Sequence, residues 1–221
     1  FPNFFFGGVH GIIGNADRCS IDHFAYLTLR IDGKTAGLPG GWELRPCSAL
    51  DIAALHDAYR MHSNGIMTEV FCLEQEGDDL WKAYERLGLR RECRSYVLIH
   101  GGVRKAFFIV DTSDRGMNLS DLLNGIKIIV AGTDPPSLPW EILRRCVETL
   151  GVRYGTPEVV VQVFPVSYMD ASGVGYKKRY CLWALRARYL DPHLDDIKNM
   201  TSFSRLKYLR SLLKTMLGSR Q

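Results

Sequence analysis

The stretch Val159 to Phe164 is apolar and largely β-branched apart from Gln162. A strand of that kind buries both faces, so it belongs inside a sheet with layers packed on each side. Lys105 to Asp111 repeats the pattern through Ala106-Phe107-Phe108-Ile109-Val110, and Ile126 to Val130 repeats it again. The rest of the chain has to supply helices to cover such a sheet. Composition closes the other routes. A coiled coil is broken by 21 Gly and 9 Pro, and disorder does not fit a chain that is 46% hydrophobic and 24% charged. No 18-residue run is free of charge, so a membrane-spanning helix is not expected.

The covering helices are legible from spacing. Ser48 reads as an N-cap with Asp51 three residues on, and Ile52, Leu55, Tyr59 and His62 follow at helical intervals until Gly65. A second helix is expected over 67–87, stopped by Gly88. Trp140 to Leu150 places Ile142, Leu143, Cys146, Val147 and Leu150 on one side. Further strands are expected at Trp42 to Arg45, Ser95 to His100 and Tyr180 to Leu185, with Gly101-Gly102 as a two-residue hairpin turn. Ile21 to Ile31 fits a helix or a strand. Asp191 to Asn199 reads as a short acidic turn or helix, and 201–217 as an amphipathic basic helix.

The Gly-rich stretch 33–41 is the best candidate boundary. It divides an N-terminal segment, 1–40, from a main domain, 41–190, with a basic C-terminal helix at 191–221. The chain opens on Phe1, and Phe4-Phe5-Phe6 has no basic stretch before it, so it is no signal peptide. A preceding region is expected to be missing.

Charge is divided unevenly along the chain. Residues 176–221 carry 11 Lys/Arg and 3 Asp/Glu, a net of +8, against −4 for residues 1–175. The basic C-terminal part points to an anion, a lipid headgroup, or an acidic protein partner or adjacent domain, rather than to nucleic acid. The six cysteines never stand two residues apart, and no His pair has metal-ligand spacing, so no metal site is expected. Scattered thiols in apolar stretches fit a cytoplasmic setting.

The element order from residue 42 is strand, helix, helix, three strands, helix, strand, strand. With the opening Leu44-Arg45-Pro46-Cys47-Ser48-Ala49-Leu50-Asp51 and the strand–loop–helix of 126–150, it resembles the GNAT acyltransferase superfamily. The resemblance implies an α/β (α+β) fold with a mixed central sheet. It places acetyl-CoA or another acyl-CoA against Ile129, Val130, Ala131, Gly132 and Thr133, and makes Tyr176 the acid that protonates a leaving thiolate. A packed or rim role for Tyr176 is the simpler alternative. The loop departs from the family pattern of a basic or Gln residue followed by spaced glycines. Ala131-Gly132-Thr133-Asp134-Pro135-Pro136-Ser137-Leu138-Pro139 has one Gly, no basic residue, an acid, and three prolines without N–H groups. No Glu in 126–131 can act as a base. These departures imply a binding or regulatory role, with an active N-acyltransferase as the alternative.

A second resemblance lies upstream. Arg90 and Arg94 form Arg-x-x-x-Arg, and Asp111, Ser113 and Gly116 form Asp-x-Ser-x-x-Gly, with Asn118 close behind. The pair is similar to the signature of PilZ domains, which implies a nucleotide ligand, cyclic di-GMP, gripped by the arginines. The bland alternative is that Arg86, Arg90, Arg91 and Arg94 complement a helix C-terminus.

Overall fold

The computed structural model describes residues 19–33, 37–62, 85–89, 91–113, 124–131 and 138–185. The helix expected over most of 67–87, the two C-terminal elements beyond 190, and Arg90, Gly116, Asn118, Gly132 and Thr133 lie outside the described residues.

Seven strands form one sheet: β1 (Cys19–Arg30), β2 (Trp42–Pro46), β3 (Arg91–His100), β4 (Val103–Ser113), β5 (Gly125–Val130), β6 (Glu158–Phe164) and β7 (Lys178–Leu185). Their order is β2-β3-β4-β5-β6-β1-β7. Each neighbouring pair is antiparallel except β5 and β6, which run parallel from Ile126 opposite Val161 to Ile129 opposite Phe164. A parallel pair needs a crossover, and α2 (Trp140–Gly151) supplies it. The other described helices are α1 (Ala49–His62) and the short α3 (Val166–Ser172). The result is the mixed α+β architecture that the apolar runs require.

The sheet is a sandwich filling because alternate residues of the apolar strands feed two cores. On one face Phe108, Val110, Ile126, Ile128, Val161 and Val163 pack with Leu143, Cys146 and Val147 of α2. On the other, Phe107, Ile109, Ile129 and Phe164 pack with Leu55 and Tyr59 of α1. All six residues of β5 are buried. The β3–β4 hairpin turns on Gly101 and Gly102, at φ +56 and +78, the left-handed pair that a tight two-residue turn demands.

The structure settles one open choice and corrects one reading. The ambiguous segment 21–31 is strand, and it lies inside the sheet between β6 and β7. Residues 19–30 therefore pair in the same sheet as the strands that follow residue 41. Local pattern could not show this, because β1 meets partners 128 or more residues away. Arg94 also stands in a strand, not at a helix end, since β3 begins at Arg91. The short α3, between Pro165 and Gly173, was not anticipated.

A buried carboxylate pins α1 to the sheet. Asp51 is 0% exposed. It accepts hydrogen bonds from Arg45 Nη1 (2.6 Å) on β2, Arg104 Nε (2.7 Å) on β4, and the Ser48 amide and hydroxyl (2.9 and 2.6 Å). The expected cap at Ser48 is thus a reciprocal box with two arginines added. These bonds, led by that from Arg45, hold the Asp51 carboxyl well below the usual carboxylate range.

Candidate functional site

In open sheets with parallel strands, ligands gather outside the carboxyl ends of those strands. Here that place is set by Val130, Ala131 and Phe164, with the start of α2 opposite. Ile129 and Val130 are buried, and their side chains belong to the two cores rather than to an open wall. The Ala131 amide donates to the Lys105 carbonyl at 2.9 Å, so it is already spent on β4.

The first turn of α2 is also committed. Its N-cap is Pro139, which brings no side-chain cap, and the Ile142 amide donates to the Pro139 carbonyl at 3.0 Å. Glu141 supplies the negative charge that a helix N-terminus attracts. Its carboxylate receives Arg144 Nη2 at 2.8 Å and Nε at 2.9 Å, and Arg145 Nε at 3.4 Å. Those bonds, Arg144 first, draw its pKa down to about 2, so it stays ionised at neutral pH. Arg144 also binds Glu148, and Arg145 Nη1 donates to the Gly37 carbonyl at 3.0 Å. An incoming phosphate would meet a filled dipole and two engaged arginines.

Tyr176 follows α3. Its hydroxyl donates to Asp170 Oδ1 at 2.8 Å, and that bond raises its pKa. It lines a shallow cleft of about 320 Å³ with Leu27, Leu29 and Trp140. A second tyrosine of this region, absent from the sequence reading, is Tyr168. It is buried, and its hydroxyl donates to the Leu138 carbonyl at 2.8 Å, tying α3 to the loop that enters α2. On the α1 side of β6, Asp22, Tyr59, Ser167 and Arg179 border a cleft of about 200 Å³. No local signal marks Asp22 and Arg179, because β1 and β7 bring them there only through the sheet order.

The upstream residues divide. Arg94 and Ser113 line one cavity of about 660 Å³ at the other end of the sheet. Asp111 does not join them. Strand alternation turns it to the α1 face, where it is 4% exposed and ion-paired with Lys127. Among the described residues its Oδ1 has no hydrogen-bond partner. The cavity instead gains Asn124, Arg153 and Tyr154, none of which the sequence motif includes.

No family model matches the chain, and no curated protein matches it. Solved structures give distant likenesses. A conserved protein of unknown function from Staphylococcus epidermidis ATCC 12228 is 10% identical, at a TM-score of 0.40, over 84% of this chain and 68% of that one. A Drosophila protein is 12% identical, at 0.31, over 76% and 52%. A tandem GNAT protein from the clavulanic acid biosynthesis pathway is 11% identical, at 0.33, over 75% and 54%. The chain spans about half the length of the last two. Among the described residues, no helix is long and apolar enough to cross a membrane.

Proposed function

We propose that the chain is a GNAT-like domain that works as a binding or regulatory module and does not use acyl-CoA as a substrate. The observation that carries this reading is the first turn of α2. An acyl-CoA domain presents free amides and uncommitted positive charge to the pyrophosphate at that turn. Here Pro139 replaces an amide, Glu141 occupies the dipole, and Arg144 and Arg145 are held by Glu141, Glu148 and a carbonyl. Assaying acetyl-CoA with a panel of primary amines, and following release of free thiol, tests the reading. No turnover above the uncatalysed rate is expected.

A second reading, an active N-acyltransferase, is favoured by one feature. Tyr176 lines a cleft beside Trp140, the first residue of α2, which is where a phenol has to stand to give its proton to a leaving thiolate. On that reading the same assay shows turnover that Tyr176→Phe lowers by about tenfold or more.

A further inference from the structure

The cavity of about 660 Å³ wraps one end of the sheet, beside the turn Val152–Tyr154 that follows α2. Strand register sorts its lining between the two faces. Val110 and Val159 belong to the core under α2, and Glu92, Arg94 and Thr112 share that face of β3 and β4. Ser113, Glu158 and Val160 alternate to the α1 side. Among the described lining residues, the charge on the α2 side is therefore set by Glu92, Arg94 and Arg153.

The two arginines converge on one side chain. The Arg153 guanidinium lies over the Tyr96 ring, 5.2 Å from its centroid. Arg94 stands two residues before Tyr96 on the same face of β3, and its guanidinium reaches the Tyr96 hydroxyl. The charge of Glu92, and after it that hydrogen bond, raise the Arg94 pKa. One guanidinium thus covers the ring face and the other stands at the hydroxyl end. A single tyrosine holds two positive centres apart on one wall of one cavity.

The neutral polar groups nearby are committed. Asn124 holds the Ser113 amide and carbonyl at 2.6 and 3.0 Å, and the Tyr154 hydroxyl gives its proton to the Asp111 and Gly125 carbonyls at 2.8 Å. Arg153 has no carboxylate within ion-pair distance among the described residues. Arg94 pairs with Glu92 at the surface, where their side chains are 56% and 33% exposed. Such a surface pair contributes little, and a guanidinium carries five N–H donors, so a second carboxylate can join or replace Glu92 there. An anion with one carboxylate satisfies one guanidinium and leaves the other. An anion with two separate carboxylates satisfies both, each through paired N–H donors. Val110 stands directly opposite Arg94 in the β3–β4 ladder and supplies apolar surface for the carbon chain between them. Stacking on Tyr96 also restrains Arg153 before any ligand arrives, which reduces the entropy lost on binding.

We propose that the α2 side of this cavity binds a short aliphatic dicarboxylate. One carboxylate meets Arg153, the other meets Arg94, and the methylene chain lies against Val110. The site is independent of the reading given under Proposed function, because it shares no residue with the start of α2.

The test is calorimetric titration of the full chain at low ionic strength with succinate, glutarate and adipate. Each is paired with the monocarboxylate of the same chain length (butanoate, pentanoate, hexanoate). Saturable binding of at least one dicarboxylate is expected, tighter than its monocarboxylate by about tenfold or more. Arg153→Met keeps an apolar group on Tyr96, and Arg94→Met removes the second charge. Each is expected to weaken the dicarboxylate by a similar factor, with an unchanged circular dichroism spectrum. Glu92→Gln removes the resident competitor for Arg94 and is expected to tighten binding by about twofold or more, a gain that a merely structural role for the arginines would not produce. The proposal is overturned if no dicarboxylate binds, if a monocarboxylate binds as well, if either arginine variant binds like the parent, or if Glu92→Gln fails to tighten binding. Phenyl phosphate or cyclic di-GMP, run as separate arms, binding more tightly than every dicarboxylate would also overturn it.

Discussion

Replacing Asp51 by alanine tests the clamp that joins α1 to the sheet. The carboxylate is 0% exposed and receives Arg45, Arg104 and both donors of Ser48. Breaking a buried ion pair by removing one partner costs about 3–5 kcal/mol. The two arginine side chains are 35% and 39% exposed, so water recovers part of their solvation. That brings the charge loss down to about 2–3 kcal/mol. Losing the cap adds about 1 kcal/mol. We predict that Asp51→Ala lowers the unfolding free energy by about 3–4 kcal/mol and the urea midpoint by roughly 1–2 M. Ser48→Ala, which removes the cap and the hydroxyl donor to Asp51 but leaves both arginines, is predicted to cost about 1 kcal/mol. The sign of the pH dependence follows from the depressed folded-state pKa. The stabilisation is complete above the unfolded value of about 3.9 and is lost as the pH falls from there towards the folded value. The gap between parent and Asp51→Asn is therefore constant near neutrality and narrows as the pH drops below about 4. An Asp51→Ala loss under about 1 kcal/mol, or a gap that does not change with acid, would refute the clamp.

Two further predictions concern packing. A Cβ added at Gly125 would stand 2.8 Å from the Val160 carbonyl oxygen, a backbone atom of the neighbouring strand. Gly125→Ala is predicted to destabilise by about 1–3 kcal/mol in thermal or urea unfolding, and a neutral result would mean that β5 and β6 can move apart there. Burial pushes the Cys146 thiol up to about 12, whereas Cys181 is exposed. Labelling the native chain with a maleimide at pH 8, followed by peptide mapping, should modify Cys181 and spare Cys146 until the chain unfolds. Modification of Cys146 at the rate of Cys181 would contradict the packing of α2.

What was legible in the sequence follows from how local each signal is. Strands β4, β5 and β6 carry near-continuous apolar runs, interrupted by Lys127 and Gln162, because both of their faces are covered, and that requirement is written residue by residue. The α2 stripe from Ile142 to Leu150 and the Gly101-Gly102 turn are equally local. The place of β1 was not legible, since pairing with β6 and β7 leaves no mark in the sequence of 19–30. The Ser48–Asp51 box was visible, but Arg104, 53 residues beyond Asp51, was not. The same limit governs the sites. Arg94 and Ser113 do share a cavity, as neighbouring strands allow. Asp111 lies opposite Cys93, one position off the Arg94–Val110 pair, so strand alternation turns it away from Arg94 whatever the motif spacing. Arg153 and Glu158 reach the cavity from a turn and a strand that no motif links to Arg94.

The central claim is that the start of α2 is closed to a pyrophosphate. Calorimetric titration of the full chain with acetyl-CoA tests it most directly. The account predicts no saturable heat at concentrations up to the millimolar range. Stoichiometric binding with a micromolar dissociation constant would contradict it.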